Sequence, residues 1–198
     1  MRRLIYYIAL SIDGVIAGPD DEIDFYSGSD EYLAWMSGDY GDALPSHARE
    51  HFGIADTPLM RFDTVIMGRR TYEPALRLGI TSPYPHLRQY VVSRSLEQLD
   101  PTVTMVAEDP IETVRALKAE DSPLDIYLAG GGRLAGQLLS EIDGLVIKRY
   151  PVVAGAGLPA FGPEFSPTGF ALDEVRAFDG GNLVEWYSRS ASGADAVG

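Results

Sequence analysis

Apolar residues fall along the chain in short runs, most of them ended by a small or charged residue. Leu4-Ile5-Tyr6-Tyr7-Ile8-Ala9-Leu10 is apolar without alternation, the pattern of a strand buried on both faces. Asp63–Met67, Gln89–Ser93, Val103–Val106, Ile126–Ala129 and Leu145–Val153 repeat it, and Pro151 bends or ends the last. After the Asp13-Gly14 turn signal, Val15–Ala17 returns along what would be a pocket wall. Helical patterns lie between the runs. Asp30–Met36 is a short amphipathic helix capped by Ser29 or Asp30, and Thr71 caps a helix that Gly79 stops. Asp109-Pro110-Ile111-Glu112 is a capping-box start, with Ile111, Val114 and Leu117 on one face. Leu134, Leu138, Leu139 and Ile142 give a further helix its apolar face. Phe170–Phe178 and Leu183–Ser188 flank Asp179-Gly180-Gly181-Asn182 and predict an antiparallel hairpin. The polar or small-residue stretches 19–30, 37–45, 81–85 and 154–162 read as loops. Strands alternating with helices predict an α/β fold in three layers, its central sheet of about eight strands mostly parallel, with an antiparallel C-terminal hairpin. The expectation is one domain over 1–190 and a flexible tail over 191–198.

The ends of the predicted strands carry the candidate chemistry. Ile126–Ala129 breaks into Gly130-Gly131-Gly132-Arg133-Leu134, so strand, glycine turn and helix follow one another. Glycines let backbone approach a ligand, and a helix start offers free N–H groups and a partial positive charge, together a site for an anion such as phosphate. Asp63–Met67 ends in Gly68-Arg69-Arg70-Thr71, and Gln89–Val92 ends in Ser93-Arg94. In a parallel sheet these C-terminal ends share one edge, where open α/β sheets bind ligands, so Arg69, Arg70, Arg94 and Arg133 could gather there.

Composition narrows the choice. The chain has 198 residues, 45% hydrophobic and 10% aromatic, enough for one real core. A net charge of −13 argues against a nucleic-acid partner and makes a local arginine cluster more telling. No apolar run approaches the roughly 20 residues that span a bilayer, and Met1-Arg2-Arg3 precedes too short a stretch for a signal peptide. The absence of cysteine excludes disulfides, cysteine nucleophiles and thiolate metal sites, and fits a cytoplasmic location. Ser46-His47-Ala48-Arg49-Glu50-His51 contains an H-x-x-E-H string like that of an inverted zinc protease, but a solvated helix face is the better reading, so no metal is expected. Asp13 is either a turn residue or a pocket group.

Met67-Gly68-Arg69-Arg70-Thr71-Tyr72-Glu73, Val92-Ser93-Arg94 and Ala129-Gly130-Gly131-Gly132-Arg133, in that order, resemble the dihydrofolate reductase fold family. Ser11–Ala17 and Tyr150–Pro159 are similar to one branch, the reductase domain of the bifunctional riboflavin-biosynthesis deaminase/reductase and its stand-alone relatives. The resemblance runs from about Leu4 to Ser188 and implies an NADPH-dependent reductase acting on a small-molecule substrate. It implies that Arg69, Ser93 and Arg94 hold the 2′-phosphate, that Arg70 and Thr71 flank the pyrophosphate, and that Gly130 to Leu134 form the pyrophosphate loop with a cis Gly130–Gly131 peptide. It places Ala9, Ile16 and Ala17 around the nicotinamide, and it implies a homodimer with the apolar loop Val152 to Phe161 as a candidate contact. Two departures bear on chemistry. The carboxylate that dihydrofolate reductases carry on the first helix falls on Tyr32, which leaves Tyr32 and Asp13 as catalytic candidates and makes dihydrofolate an expected poor substrate. The zinc-bearing deaminase domain of the bifunctional enzymes is absent from this sequence, and the segment from Ser37 to Met60 is longer than the family's usual connection. A Rossmann dehydrogenase is a rival, but no acid stands at a strand end about 20 residues after the glycines, where Tyr150 to Ala154 lie. A non-catalytic NADP(H)-binding or sensor module is the alternative from another class.

Overall fold

The computed structural model describes residues 1–162 and 164–190. Eight strands form one sheet in the order β5-β4-β3-β6-β1-β7-β10-β9. They are β1 (Leu4–Leu10), β3 (Phe62–Gly68), β4 (Arg88–Val92), β5 (Val103–Val106), β6 (Asp125–Gly130), β7 (Gly144–Arg149), β9 (Phe170–Ala177) and β10 (Leu183–Arg189). The first six strands in that spatial order run parallel, and β10 pairs antiparallel with both β7 and β9. A separate two-stranded ribbon joins β2 (Val15–Ala17) to β8 (Leu158–Pro159). Among the described residues there are five α-helices: α1 (Asp30–Asp39), α2 (Ser46–His51), α3 (Arg69–Arg77), α4 (Pro110–Ala119) and α5 (Gly132–Gln137).

Side chains alternate across the strands and so build two cores. Tyr7, Val65, Met67, Val91, Tyr127 and Val146 face the layer of α1, whose Tyr32, Trp35 and Met36 are buried against them. Leu4, Tyr6, Ile66, Ile126 and Leu128 face the layer of α4 and α5, meeting Val114, Leu117, Leu134, Ala135 and Leu138. Each fully buried Leu, Ile or Phe contributes about 1.5–3 kcal/mol. Polar pins hold the end of the sheet remote from the glycine turn. The Arg2 guanidinium is buried and bonds Asp63, Thr64 Oγ1, Glu120 and the Leu124 carbonyl. Asp42 Oδ2 accepts the backbone N–H groups of Met60, Arg61 and Phe62, at 2.8, 2.7 and 3.2 Å, which ties the 37–60 segment to the start of β3.

The expected three-layer α/β fold with its antiparallel end is what the chain forms. Several local readings are corrected. Thr71 is not a cap: β3 passes straight into α3, with Gly68 as N-cap. The helix after the glycines ends at Gln137, and a 3-10 turn over Leu139–Glu141 completes the apolar face. Within 37–45, α1 continues to Asp39 and a 3-10 turn spans Gly41–Ala43. The 154–162 stretch contributes β8, and its Ala160 and Phe161 turn inward, Phe161 packing edge-on against Tyr6 at 5.5 Å. The tail expected over 191–198 lies outside the described residues. Among the described residues, no helix is long and apolar enough to cross a membrane.

Candidate active site

The candidate site forms where the parallel strands end. Ser29 and Asp109 cap α1 and α4 with side-chain oxygens that accept the N–H groups of Tyr32 and Glu112. At α3 and α5 the N-caps are Gly68 and Gly131, and neither supplies a side-chain acceptor. The first-turn N–H groups there remain as donors at the positive ends of two helices. The two turns touch: a Cβ on Gly68 would lie 3.6 Å from the Gly130 oxygen, 3.7 Å from the Gly131 nitrogen and 3.8 Å from Leu134 Cβ.

The three consecutive glycines serve different ends. Gly130 has φ +104°, a conformation L residues rarely adopt. Gly132 abuts β8, where an added Cβ would fall 2.0 Å from the Pro159 carbonyl oxygen. Gly131 is extended, φ −84° and ψ −172°, and a Cβ there would meet only Ile16 Cδ1 and Thr71 Oγ1, each at 3.7 Å. The fold therefore demands glycine at 130 for its backbone conformation and at 132 for its packing, while Gly131 presents bare backbone between Ile16 and Thr71. The Gly130–Gly131 peptide is cis.

The arginines are distributed along this edge. Arg69 pairs with Glu73 at 2.6 Å and donates to Ser95 Oγ at 3.0 Å, linking the ends of β3 and β4. Ser93 is buried, and its Oγ accepts the N–H groups of Ser95 and Leu96 at 3.3 and 3.0 Å, which shapes the turn that carries Arg94. Arg94 lines a cleft of about 580 Å³ with Val92, Glu108, Pro110, Ile111 and Gln137, beyond the ends of β4 and β5. Arg70 reaches away to Asp21 at 2.7 Å, a carboxylate it shares with Arg77. Arg133 is exposed on α5. Arg69 is thus tied to the turn that carries Arg94, while Arg70 pairs elsewhere and Arg133 stands exposed.

Ala17 is buried and Ile16 half-buried on β2, and Ala9 is half-buried on β1 opposite Lys148. The Asp13 carboxylate is committed to backbone: it accepts from Ser11 Oγ at 2.6 Å and from the N–H groups of Ala154 and Gly155 at 3.0 and 2.7 Å. These bonds hold its pKa down at about 2. At neutral pH it has no proton to give, and its geometry makes it the clasp between the β1–β2 turn and the loop after β7. Tyr32 is buried and shares a 2.9 Å hydrogen bond with the Tyr150 hydroxyl, and burial pushes its phenol well above the usual tyrosine value.

A neighbouring group escapes the sequence reading. Lys148 Nζ lies 3.9 Å over the Tyr7 ring and makes no hydrogen bond or ion pair among the described residues. Desolvation pulls its pKa down to about 7. The hydroxyl of that same Tyr7 is buried and has no hydrogen-bond partner among the described residues. The available signal is a lone lysine in an apolar strand, in phase with the inward-facing Val146 and Tyr150. His47, Glu50 and His51 stand exposed on α2, and no group of three metal-ligating side chains converges among the described residues.

The comparisons with known proteins agree with this architecture. The family model described as RibD C-terminal domain matches residues 2–184. The chain is 32% identical to the uncharacterized protein YwjB of Bacillus subtilis (strain 168) over 89% of this chain and 92% of that one. It is 25% identical to the uncharacterized protein YyaP of the same organism, over 81% and 80%. A Shewanella sp. PV-4 structure named for riboflavin biosynthesis superposes with a TM-score of 0.69 at 22% identity, covering 96% of this chain and 99% of that chain. The Thermotoga maritima diaminohydroxyphosphoribosylaminopyrimidine deaminase/5-amino-6-(5-phosphoribosylamino)uracil reductase gives a TM-score of 0.63 at 15% identity, with 96% of this chain on 57% of that larger one. By this match over nearly its whole length, the chain belongs to the RibD C-terminal domain family, within the dihydrofolate reductase-like superfamily.

Proposed function

We propose that the protein is an NADPH-dependent reductase of a small heterocyclic, carbonyl or imine compound. The observation that carries this reading is the meeting of two glycine-capped helix starts around Gly131, on the strand edge that also bears Arg69 and Arg94. Bare backbone with unused N–H donors suits a pyrophosphate, which a side chain at 131 would obstruct. Arg94, which lines the cleft beyond β4 and β5, and Arg69, which bonds the adjacent Ser95, suit an adenosine 2′-phosphate. Ile16, Ala17 and Ala9 then wall the nicotinamide, which supplies hydride when bound. Family membership supports the same reading, because the Thermotoga relative is named as a reductase.

The substrate belongs between β1 and α1. The phenols Tyr7, Tyr32 and Tyr150 cluster on that side of the sheet, and α1 has Tyr32 where a carboxylate would suit a pterin. Dihydrofolate is accordingly expected to be a poor substrate. NADPH oxidation at 340 nm tests the reading, with pterins, ribityl- and phosphoribosylamino-pyrimidines and cyclic imines each supplied in turn. Turnover of a pyrimidine or imine at one per second or faster, with dihydrofolate at least a hundredfold slower, is expected. Fast dihydrofolate reduction contradicts the substrate assignment, and no oxidation with any compound leaves the non-catalytic binding module as the better account.

A further inference from the structure

Among the described residues Lys148 is a cation without a counter-ion, on the side of the sheet just assigned to the substrate. Its Cα is paired with Ala9 on one side and with Val184 on the other, and its side chain shares the face of Tyr7 and Val146. The ammonium rests on the Tyr7 ring, which also stacks against Tyr40 with centroids 4.6 Å apart and planes 3° from parallel. The phenols near Tyr7 are Tyr32, Tyr40, Tyr127 and Tyr150. No carboxylate from the packed elements reaches Lys148: Glu31 and Asp39 of α1 lie near Arg176 and Arg61, and Glu185 of β10 binds Arg149. A desolvated ammonium and a buried phenol, adjacent and neither hydrogen-bonded, each raise the energy of the fold. Groups kept in that condition are characteristic of functional sites.

We propose that Lys148 donates the proton of the reduction, with the Tyr7 hydroxyl hydrogen-bonded to the same substrate atom, an assignment that rests on the reductase reading above. The carbon of a C=N or C=O bond receives hydride from reduced nicotinamide, and the electron pair of that bond moves onto nitrogen or oxygen. The Lys148 ammonium gives that atom a proton. An amine or alcohol, oxidised nicotinamide and a neutral lysine amine result, and the amine regains its proton from water. A group that titrates near neutral pH holds and releases a proton readily in each cycle, as the Tyr32 phenol and the Asp13 carboxylate do not.

The chain has only two lysines, and the other, Lys118, is paired with Asp143 at 2.7 Å. Carbon-13 NMR of protein labelled at lysine Cε therefore shows two resonances. One should titrate with a midpoint near 7 and disappear in Lys148→Met. A Lys148 midpoint above 9 overturns the proposal without any reference to activity. In parallel, NADPH dissociation constants and turnover of 2-methyl-1-pyrroline, with a panel of cyclic imines and aldehydes, are measured from pH 5 to 9. Wild-type turnover should fall as pH rises through about 7, because the protonated form is the active one. Lys148→Met should lose at least a hundredfold in turnover with NADPH affinity changed less than twofold, and Lys148→Arg should flatten the pH profile. If NADPH binds and Lys148→Met turns substrate over within threefold of wild type, or no probe is turned over, the role of Lys148 is refuted and cofactor binding stands. Absence of NADPH binding by the wild-type protein refutes the reductase reading itself.

Discussion

Three adjacent glycines should give three different outcomes when each is replaced by alanine. At 130, the backbone sits at φ +104°, and the nearest atoms to a new Cβ are Tyr6 and Ile8 side-chain atoms at 3.7–3.8 Å, so the cost is strain alone. Such conformations cost about 1–3 kcal/mol for a non-glycine residue. At 132, the methyl lies 2.0 Å from the Pro159 oxygen, a backbone atom, so β8 must move away from α5. Overpacking of this kind costs about 1–3 kcal/mol. At 131, φ is −84° and both neighbours are at 3.7 Å, ordinary contact, so the change in stability should stay within about 0.5 kcal/mol. For a domain of this size, roughly 2–4 °C in Tm accompany each kcal/mol. Thermal unfolding followed by circular dichroism should therefore show Gly130→Ala and Gly132→Ala lowered by several degrees, and Gly131→Ala by no more than about 2 °C. NADPH titration of the same proteins should single out Gly131→Ala, because its methyl occupies the surface assigned to the pyrophosphate. A tenfold or greater loss of affinity is expected, about 1.4 kcal/mol, and a larger one in Gly131→Val. Native stability with unchanged affinity at 131 would refute the claim that this backbone faces a ligand.

Other outcomes follow from the same geometry. Arg2→Met removes a fully buried guanidinium from Asp63 and Glu120, and should destabilise by about 3 kcal/mol, the low end for broken buried pairs because Glu120 is partly exposed; denaturant unfolding measures it, and a loss below 1 kcal/mol contradicts the network's role. Asp13 has a depressed pKa, so its clasp is fully present above about pH 4 and is lost as pH falls through about 2. The amide shifts of Ala154 and Gly155 should report that midpoint by NMR, and a midpoint near 4 would show that the bonds are not held in solution. A homodimer is expected by light scattering at tens of micromolar. Beside the Val152–Phe161 loop, whose Val153 is exposed, the exposed edge strand β9 is a second candidate contact, so Leu172→Glu with Val175→Glu, or Val153→Glu, should yield monomer. A monomeric wild-type protein refutes assembly.

The sheet was legible because its strands are continuous apolar runs, and the hairpin because Asp179-Gly180-Gly181-Asn182 separates two such runs. The glycine turn was legible for the same reason: a run stops, glycines follow, and helical spacing resumes. Thr71 misled because its preference for caps is local, whereas β3 is held by β6 through Met67 and by β4 through Gly68, so the helix begins directly at the strand end. β8 could not be seen, since two residues have no period and exist as a strand only through pairing with β2. The chemistry of the site was hardest to read. Asp13 looks like any turn aspartate until Ala154 and Gly155 are folded onto it, and Lys148 looks like a strand-end charge until Tyr7 is laid beneath it. Both environments are made by residues far apart in the chain, which no local pattern records.

The central claim is that the edge carrying Gly131, Arg69 and Arg94 is a site for NADPH. Isothermal titration of the wild-type protein with NADPH and with NADH, at one ionic strength, tests it most directly. Charge-assisted contacts to a phosphate contribute about 1.5–3 kcal/mol each, and Arg69 is half-exposed and already paired with Glu73, so the lower figure applies. NADPH should bind at least tenfold more tightly than NADH, and Arg69→Ala should abolish most of that difference while leaving NADH affinity nearly unchanged. Equal affinities for the two cofactors, or a preference that survives Arg69→Ala intact, would contradict the account.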